Sequence, residues 1–319
     1  MIQKQGIISL GEVLVDMIPL NEENTQYQKS PGGAPANVAV GLSRLDVESY
    51  FIGAIGDDLI GHFLRKTLVD YGVNIQGLIQ TTIAKTPLVF VELAKNGERS
   101  FEFLIDHSSD QVLSIDNLNE ELFHHANILH IGSISTIHKT SRAATHKAIH
   151  LAKENGMLVS LDPNLRLSIW PDELSALEQI KALLLTSDIV KLSEEELEFL
   201  TDETDEAVAV FKLKDYQIPL LIITKGENGS SFYTDTHKVD IPVYKVDAVD
   251  TTGAGDAFVS AVLAQLDNLK EPLDSLTPEA LKQIGAFAAV SGALAASSKG
   301  AMTALPTRDE VHAFLEERG

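Results

Sequence analysis

The sequence predicts an α/β protein whose mostly parallel sheet is covered on both faces. Short, near-continuously apolar runs recur along the 319 residues, and most are followed by an amphipathic run at 3.6-residue spacing. Strands buried on both faces read this way, because crossover helices cover each side of the sheet. No Pro/Ser-rich linker, repeat or low-complexity stretch divides the chain, so residues 1–319 read as one domain.

Residues 6–15 (GIISLGEVLV) form the first strand-like run, and residues 34–45 the first helix-like run, entered through Gly32-Gly33 with a first-turn Pro35. Residues 48–55 read as a strand and 58–71 as a helix. Further strands fall at 127–131, 157–161, 189–192 and 219–224, and further helices at 140–155, 193–200, 254–266 and 281–297. One segment breaks the rhythm. Residues 87–94 and 98–105 alternate as strands around Asn96-Gly97, a favoured hairpin turn pair. Phe101, Phe103 and Ile105 make one face apolar. A lone hairpin is marginally stable, so this one needs a partner, either the N-terminal strands or a second subunit. It reads as a lid or dimer clasp ahead of an edge ornament.

Lys and Arg number 25 against 46 Asp and Glu, a formal charge of -21. Such a surface repels phosphate backbones and anionic lipid, which argues against nucleic acid and membrane as partners. A small anion must therefore be drawn in by a local site. The lack of cysteine excludes disulfides, thiolate metal sites and a cysteine nucleophile. No basic-then-apolar leader and no apolar run of ~18 residues is present, which makes the cytoplasm the expected location.

The sharpest feature is Asp250-Thr251-Thr252-Gly253-Ala254-Gly255-Asp256, leading into an apolar helix. Small residues at a helix start leave backbone N–H groups uncovered, and the helix dipole adds positive potential. Gly253, Ala254 and Gly255 thus build an anion hole from backbone alone. A first-turn aspartate also suits that dipole as a simple cap. Beside an anion site, however, a carboxylate repels the ligand unless Asp256 accepts a proton from an attacking hydroxyl. Pro31-Gly32-Gly33-Ala34-Pro35-Ala36-Asn37 is a second glycine-to-helix turn, where Asn37 offers donor and acceptor to a sugar hydroxyl. Asp16 is a carboxylate in an apolar strand, which either ends the strand in solvent or accepts polyol hydroxyls.

Asp162-Pro163-Asn164-Leu165-Arg166 follows a strand, where ligand crevices of open α/β sheets lie, so Arg166 either clamps phosphate or pairs with Asp162. Thr224-Lys225-Gly226-Glu227-Asn228-Gly229 is by itself a turn. No Walker-type P-loop exists, Gly53-Ala54-Ile55-Gly56 lacks dinucleotide spacing, and His124, His125 and His130 lack metal-binding spacing.

Together and in this order, these motifs resemble the PfkB (ribokinase-like) family of carbohydrate kinases over essentially the whole chain. Pro-Gly-Gly-Ala-Pro-Ala-Asn-Val-Ala, Asp-Pro-Asn-Leu-Arg and Glu-Arg-Ser-Phe-Glu-Phe look most like its fructokinases. The resemblance implies a doubly wound αβα sandwich with a small β-sheet lid, here from about 12–30 and 86–106. It implies Asp256 as catalytic base over the Gly253–Ala254–Gly255 anion hole. Asp16, Gly32, Gly33, Asn37 and Arg166 would hold the sugar, and Lys191, Thr224, Lys225, Gly226, Gly229, Gly253 and Gly255 the nucleotide. The implied cofactors are ATP and Mg2+, with K+ beside Asp250 and Thr252 in members that use a monovalent cation. The family's Asn-x-x-Glu motif falls on Ser193-Glu194-Glu195-Glu196, so only Glu196 carries over as the magnesium-linked residue. Fructokinases commonly carry an arginine in the stretch that is here Ile105-Asp106-His107-Ser108-Ser109-Asp110.

The expected activity is ATP-dependent phosphorylation of a ketose primary hydroxyl, fructose to fructose 6-phosphate. A 2-keto-3-deoxygluconate kinase is the alternative within the class, and a non-catalytic sugar- or nucleotide-binding regulator the alternative outside it. The lid further suggests a homodimer.

Overall fold

A computed structural model describes residues 5–93, 99–267, 269 and 272–318. The chain opens with β1 (Ile7–Leu10), β2 (Leu14–Pro19) and β3 (Tyr27–Gly32), then α1 (Ala34–Arg44), β4 (Ser49–Gly56), α2 (Leu59–Asp70) and β5 (Asn74–Thr81). The hairpin strands β6 (Leu88–Leu93) and β7 (Arg99–Leu104) follow. Next come β8 (Ile128–Ile131), α3 (Lys139–Glu154), β9 (Leu158–Leu161), α4 (Glu173–Leu184), β10 (Ile189–Ser193), α5 (Glu194–Thr201) and α6 (Glu206–Lys212). The chain ends through β11 (Leu220–Thr224), β12 (Ser230–Tyr233), β13 (Lys238–Ile241), α7 (Ala254–Leu266), α8 (Pro278–Ala296) and α9 (Arg308–Arg318).

The central sheet runs β13-β12-β11-β10-β9-β8-β1-β4-β5, with β12 alone running against the others and so pairing antiparallel with β11 and β13. Neighbouring residues of β1 show why it is doubly wound. Ile8 packs with Leu129, Ala148 and Leu183 on the α3–α4 side, whereas Ile7 packs with Val38, Val262 and Leu263 on the α1–α7 side. Strand order reverses between β1 and β8, which opens a crevice at the carboxyl ends of the strands.

The hairpin finds its partner within the chain. Its β6 pairs parallel with β2 and antiparallel with β7, giving a separate sheet ordered β3-β2-β6-β7. The predicted Asn96-Gly97 turn lies outside the described residues.

Residues 6–15, expected as one strand, are two. β1 belongs to the central sheet and β2 to the lid, with Gly11, Glu12 and Val13 between them. At Gly11 a Cβ would lie 2.5 Å from the Pro35 ring, so glycine there admits the start of α1. The strand β5, the β12–β13 hairpin and helices α4, α6 and α9 are additional to the expected elements. β12, β13 and α6 are short, and β5 mixes polar with apolar residues, whereas α4 does carry apolar residues at helical spacing in Ala176, Ile180, Leu183 and Leu184. Among the described residues no helix is long and apolar enough to cross a membrane.

Candidate active site

The first turn of α7 lies where two cavities meet. Gly253 starts the helix at φ 80°, a conformation that costs an L side chain about 1–2 kcal/mol. Gly253 and Gly255 line the crevice, whereas Ala254, expected as part of the anion hole, spends its N–H on the Thr251 carbonyl at 3.2 Å, which closes the turn. One cavity, of about 700 Å³, runs under the lid and is lined by Asp16, Asn37, Phe101, Arg166, Lys191 and Asp256 among others. The second, of about 810 Å³, is more apolar and lies between the β11–β12 turn, residues 243–246 and α8. Both reach Thr251 and Gly255, immediately beside Asp256.

Helix packing sets the Asn37–Asp256 pair. At Gly41, one turn after Asn37, a Cβ would fall 2.4 Å from Ser260 Oγ, one turn after Asp256. Without that Cβ, α1 and α7 approach closely enough for Asn37 Nδ2 to donate to Asp256 Oδ2 at 2.7 Å. The Asn37 Oδ1 is buried and without a protein partner, which suits it to accept a ligand hydroxyl. Burial pushes the Asp256 carboxyl up to about 6; Asn37 opposes the rise, Asp162 adds to it, and Lys191 and Arg166 oppose it. At neutral pH it is therefore an ionised acceptor poised to take a proton.

Asp16, on β2, projects from the lid into the same cavity, and burial followed by repulsion from Asp256 holds it at about 6. Gly32 does not line the cavity itself; a Cβ there would lie 2.5 Å from Asp16 Oδ2, so it makes room for that carboxylate. Gly33, at φ 102°, begins α1 and lines the cavity.

At the strand ends, Lys191 Nζ donates to Asp162 at 3.2 and 3.3 Å. Burial disfavours the Lys191 charge, yet the carboxylates of Asp162 and Glu196 outweigh it and the ammonium is held above its ordinary range. Arg166, beyond β9, donates Nη1 to the Leu165 carbonyl at 3.0 Å and also lines the cavity. Glu196 lines it too, but both its oxygens accept backbone N–H groups, from Leu165 and Ser193, each at 2.8 Å.

In the second cavity the structure gathers Thr224, Gly226, Gly229, Ala254 and Gly255. Lys225 is held elsewhere: its Nζ donates to Ser231 Oγ at 2.7 Å and pairs with Glu206 at 3.2 Å. Asp250 closes its own loop, accepting from Thr252 N at 3.1 Å and Thr252 Oγ1 at 2.7 Å. Sequence reasoning passes over Glu12, which lines the first cavity, and over Tyr244, Ala289 and Ala293 in the second. A charged residue inside an apolar run was the available signal for Glu12; the small residues of α8 read simply as helix.

The pfkB family carbohydrate kinase model matches residues 4–308. The chain belongs to the pfkB family of carbohydrate kinases. Probable fructokinase-5 of Arabidopsis thaliana is 42% identical over 318 residues, 98% of each chain. Fructokinase-1 of Zea mays is 42% identical, again with 98% of each chain covered. Among solved structures, the fructokinase of Xylella fastidiosa with bound ATP superposes with a TM-score of 0.91 at 32% identity, covering 99% of both chains. The Vibrio cholerae O395 fructokinase, bound to fructose, ADP and calcium, gives 0.89 at 37% identity, covering 98% of this chain and 99% of its own. As a pfkB member this chain is a carbohydrate kinase with the doubly wound sheet of its relatives.

Proposed function

We propose that this kinase transfers the γ-phosphoryl group of ATP to the primary hydroxyl of fructose, giving fructose 6-phosphate and ADP. The observation that carries the reading is the place of Asp256, between a polar cavity under the lid and an apolar one beside it. Sugar in the first and nucleotide in the second bring acceptor and donor together at the α7 N-terminus. Asp256 takes the hydroxyl proton as the new O–P bond forms and the bond to ADP breaks. The amides of Gly253 and Gly255 carry negative charge on the transferring group, helped by the helix dipole. Asn37 orients Asp256; Asp16, Gly33 and Arg166 hold the sugar. Thr224, Gly226 and Gly229 lie along the nucleotide. Lid residues Phe101 and Phe103 exclude water, the competing phosphoryl acceptor.

Among the described residues no cluster of three or more acidic or histidine side chains could cage a metal. That fits Mg2+ bound mainly by phosphates and water. Glu196, with Asp162 nearby, would face it, and the metal would neutralise phosphate charge. With the Asp250 carboxylate closing its loop through Thr252, a potassium ion there would take carbonyl oxygens. A Vibrio cholerae relative, a double mutant, holds fructose, ADP and potassium.

The fructokinase relatives and the cavity's charge favour a neutral sugar. Asp16, Asp162, Glu196 and Asp256 line it against Lys191 and Arg166, a poor setting for the carboxylate of 2-keto-3-deoxygluconate. A non-catalytic regulator would gain nothing from a base beside its anion site. The reading includes a cytoplasmic location and a homodimer through the lid. Phe101 and Leu104 of its edge strand β7 are 56% and 49% exposed; a solution mass of one chain would refute the dimer. ADP release with MgATP, comparing fructose, 2-keto-3-deoxygluconate, ribose and adenosine, tests the activity. Turnover with fructose supports it; turnover confined to another sugar overturns it.

A further inference from the structure

Glu12 has no part in the mechanism above, yet it is built into the sugar cavity. It sits in the break between β1 and β2, is 4% exposed, and lines the cavity with Asp16, Asn37 and Asp256. Its Oε1 accepts from Ala34 N at 3.2 Å, which anchors it against the first turn of α1. Its Oε2 is buried and has no protein partner. A buried carboxyl oxygen left unpaired is costly, and in a ligand cavity the missing partner is the ligand.

We infer that Glu12 is a sugar-contacting residue whose Oε2 donates a hydrogen bond to an oxygen of the bound sugar. This rests on the sugar-kinase reading, and adds a donor to a cavity otherwise rich in acceptors. Donation requires the carboxyl to keep its proton, and its surroundings enforce that. Burial acts first and outweighs Glu12's own backbone amide, which favours the charge; the carboxylates of Asp110, from the turn Ser109–Val112, and Asp256, from α7, add to the rise. Asp110 is itself raised by burial, against the Ser108 side chain, its own amide and the charge of His138. From α1 comes only the Ala34 amide, while the cavity's Lys191 is engaged by Asp162. Together these hold Glu12 at about 8. A polyol offers both donors and acceptors, so a neutral acid beside ionised Asp16 and Asp256 lets the cavity answer both.

Wild type, Glu12→Gln and Glu12→Ala are compared by fructose KM and kcat from pH 6.5 to 9.5, and by calorimetric fructose binding without nucleotide. The amide of Glu12→Gln still donates, so its KM at pH 7 should stay within about threefold of wild type. Glu12→Ala should raise KM about tenfold or more with a smaller change in kcat. Wild-type kcat/KM should fall above pH ~8, toward tenfold per unit, and Glu12→Gln should lose that fall. A wild-type KM in Glu12→Ala, or the same alkaline fall in Glu12→Gln, would overturn the assignment while fructose turnover left the functional reading intact. If wild type neither binds nor phosphorylates fructose, the functional reading fails and takes this contact with it.

Discussion

Replacing Asn37 with alanine tests whether the α1–α7 packing tunes the base. The bond from Asn37 Nδ2 to Asp256 Oδ2 is 2.7 Å long and buried, and it works against the burial that raises Asp256 to about 6. Hydrogen bonds to charged groups contribute about 1.5–3 kcal/mol, and one pKa unit corresponds to about 1.4 kcal/mol. Losing the donor should therefore carry Asp256 from about 6 to roughly 7–8. Only the ionised carboxylate accepts a proton, so activity rises with pH through this value and is lost below it. At pH 7 the ionised fraction would drop from ~90% to roughly 10–50%. The assay is kcat/KM for fructose from pH 5 to 9 in wild type and Asn37→Ala. Asp16 titrates in the same window and repels Asp256, so the wild-type acid limb belongs to the pair. Asn37→Ala will also weaken sugar binding, which lowers the whole curve without moving its midpoint. An acid limb that stays near pH 6 in the variant would refute the coupling, whatever happens to KM.

Asp256→Asn should cost about 10²–10⁴-fold in kcat while ATP affinity is retained, checked by turnover and nucleotide titration; near-normal turnover would sink the mechanism. Gly32→Ala drives a methyl to 2.5 Å from Asp16 Oδ2, so fructose KM should rise at least tenfold with an unchanged circular-dichroism spectrum. Gly253→Val should lower both Tm and kcat, because φ is 80° there and a Cβ would lie 3.0 Å from Ala301 Cα. Glu12 also sets a pH-dependent stability. Its proton is kept on folding up to about 8 but released from the unfolded chain above its usual 4.5. Stability contributed by burying the neutral acid is thus lost as pH rises between those values. Thermal unfolding at pH 8 should show Glu12→Gln gaining on wild type relative to pH 5, and equal Tm differences at both pH values would contradict it.

Much of the fold was legible in the sequence, because parallel strands buried on both faces must be apolar throughout and their crossover helices amphipathic. The span of α7, Ala254–Leu266, matches its sequence reading, and the base and anion hole stand together because Gly253, Ala254, Gly255 and Asp256 are consecutive. Local chemistry of that kind is carried by adjacent residues. The hairpin pattern likewise announced two strands in need of a partner. Which strands would partner it depended on a contact between residues 15–17 and 88–90, a separation that no local pattern records. The division of residues 6–15 between two sheets was hidden too, since the run is apolar on both sides of the break and the seating of Pro35 against Gly11 is a tertiary contact.

The sequence by itself therefore determined the class of fold, the turn at the α7 N-terminus and the kind of proton acceptor placed there. Tertiary structure decided what surrounds that acceptor. Asn37 reaches Asp256 across 219 residues because Gly41 and Ser260 let two helices touch. Lys225 is drawn into a network with Ser231 and Glu206, and Glu12 is buried with Asp110 and Asp256 acting on its charge. The physical reason is the same in each case. Burial, ion pairing and the pKa they produce depend on the three-dimensional neighbours of a group, and those neighbours are brought together only when distant segments pack.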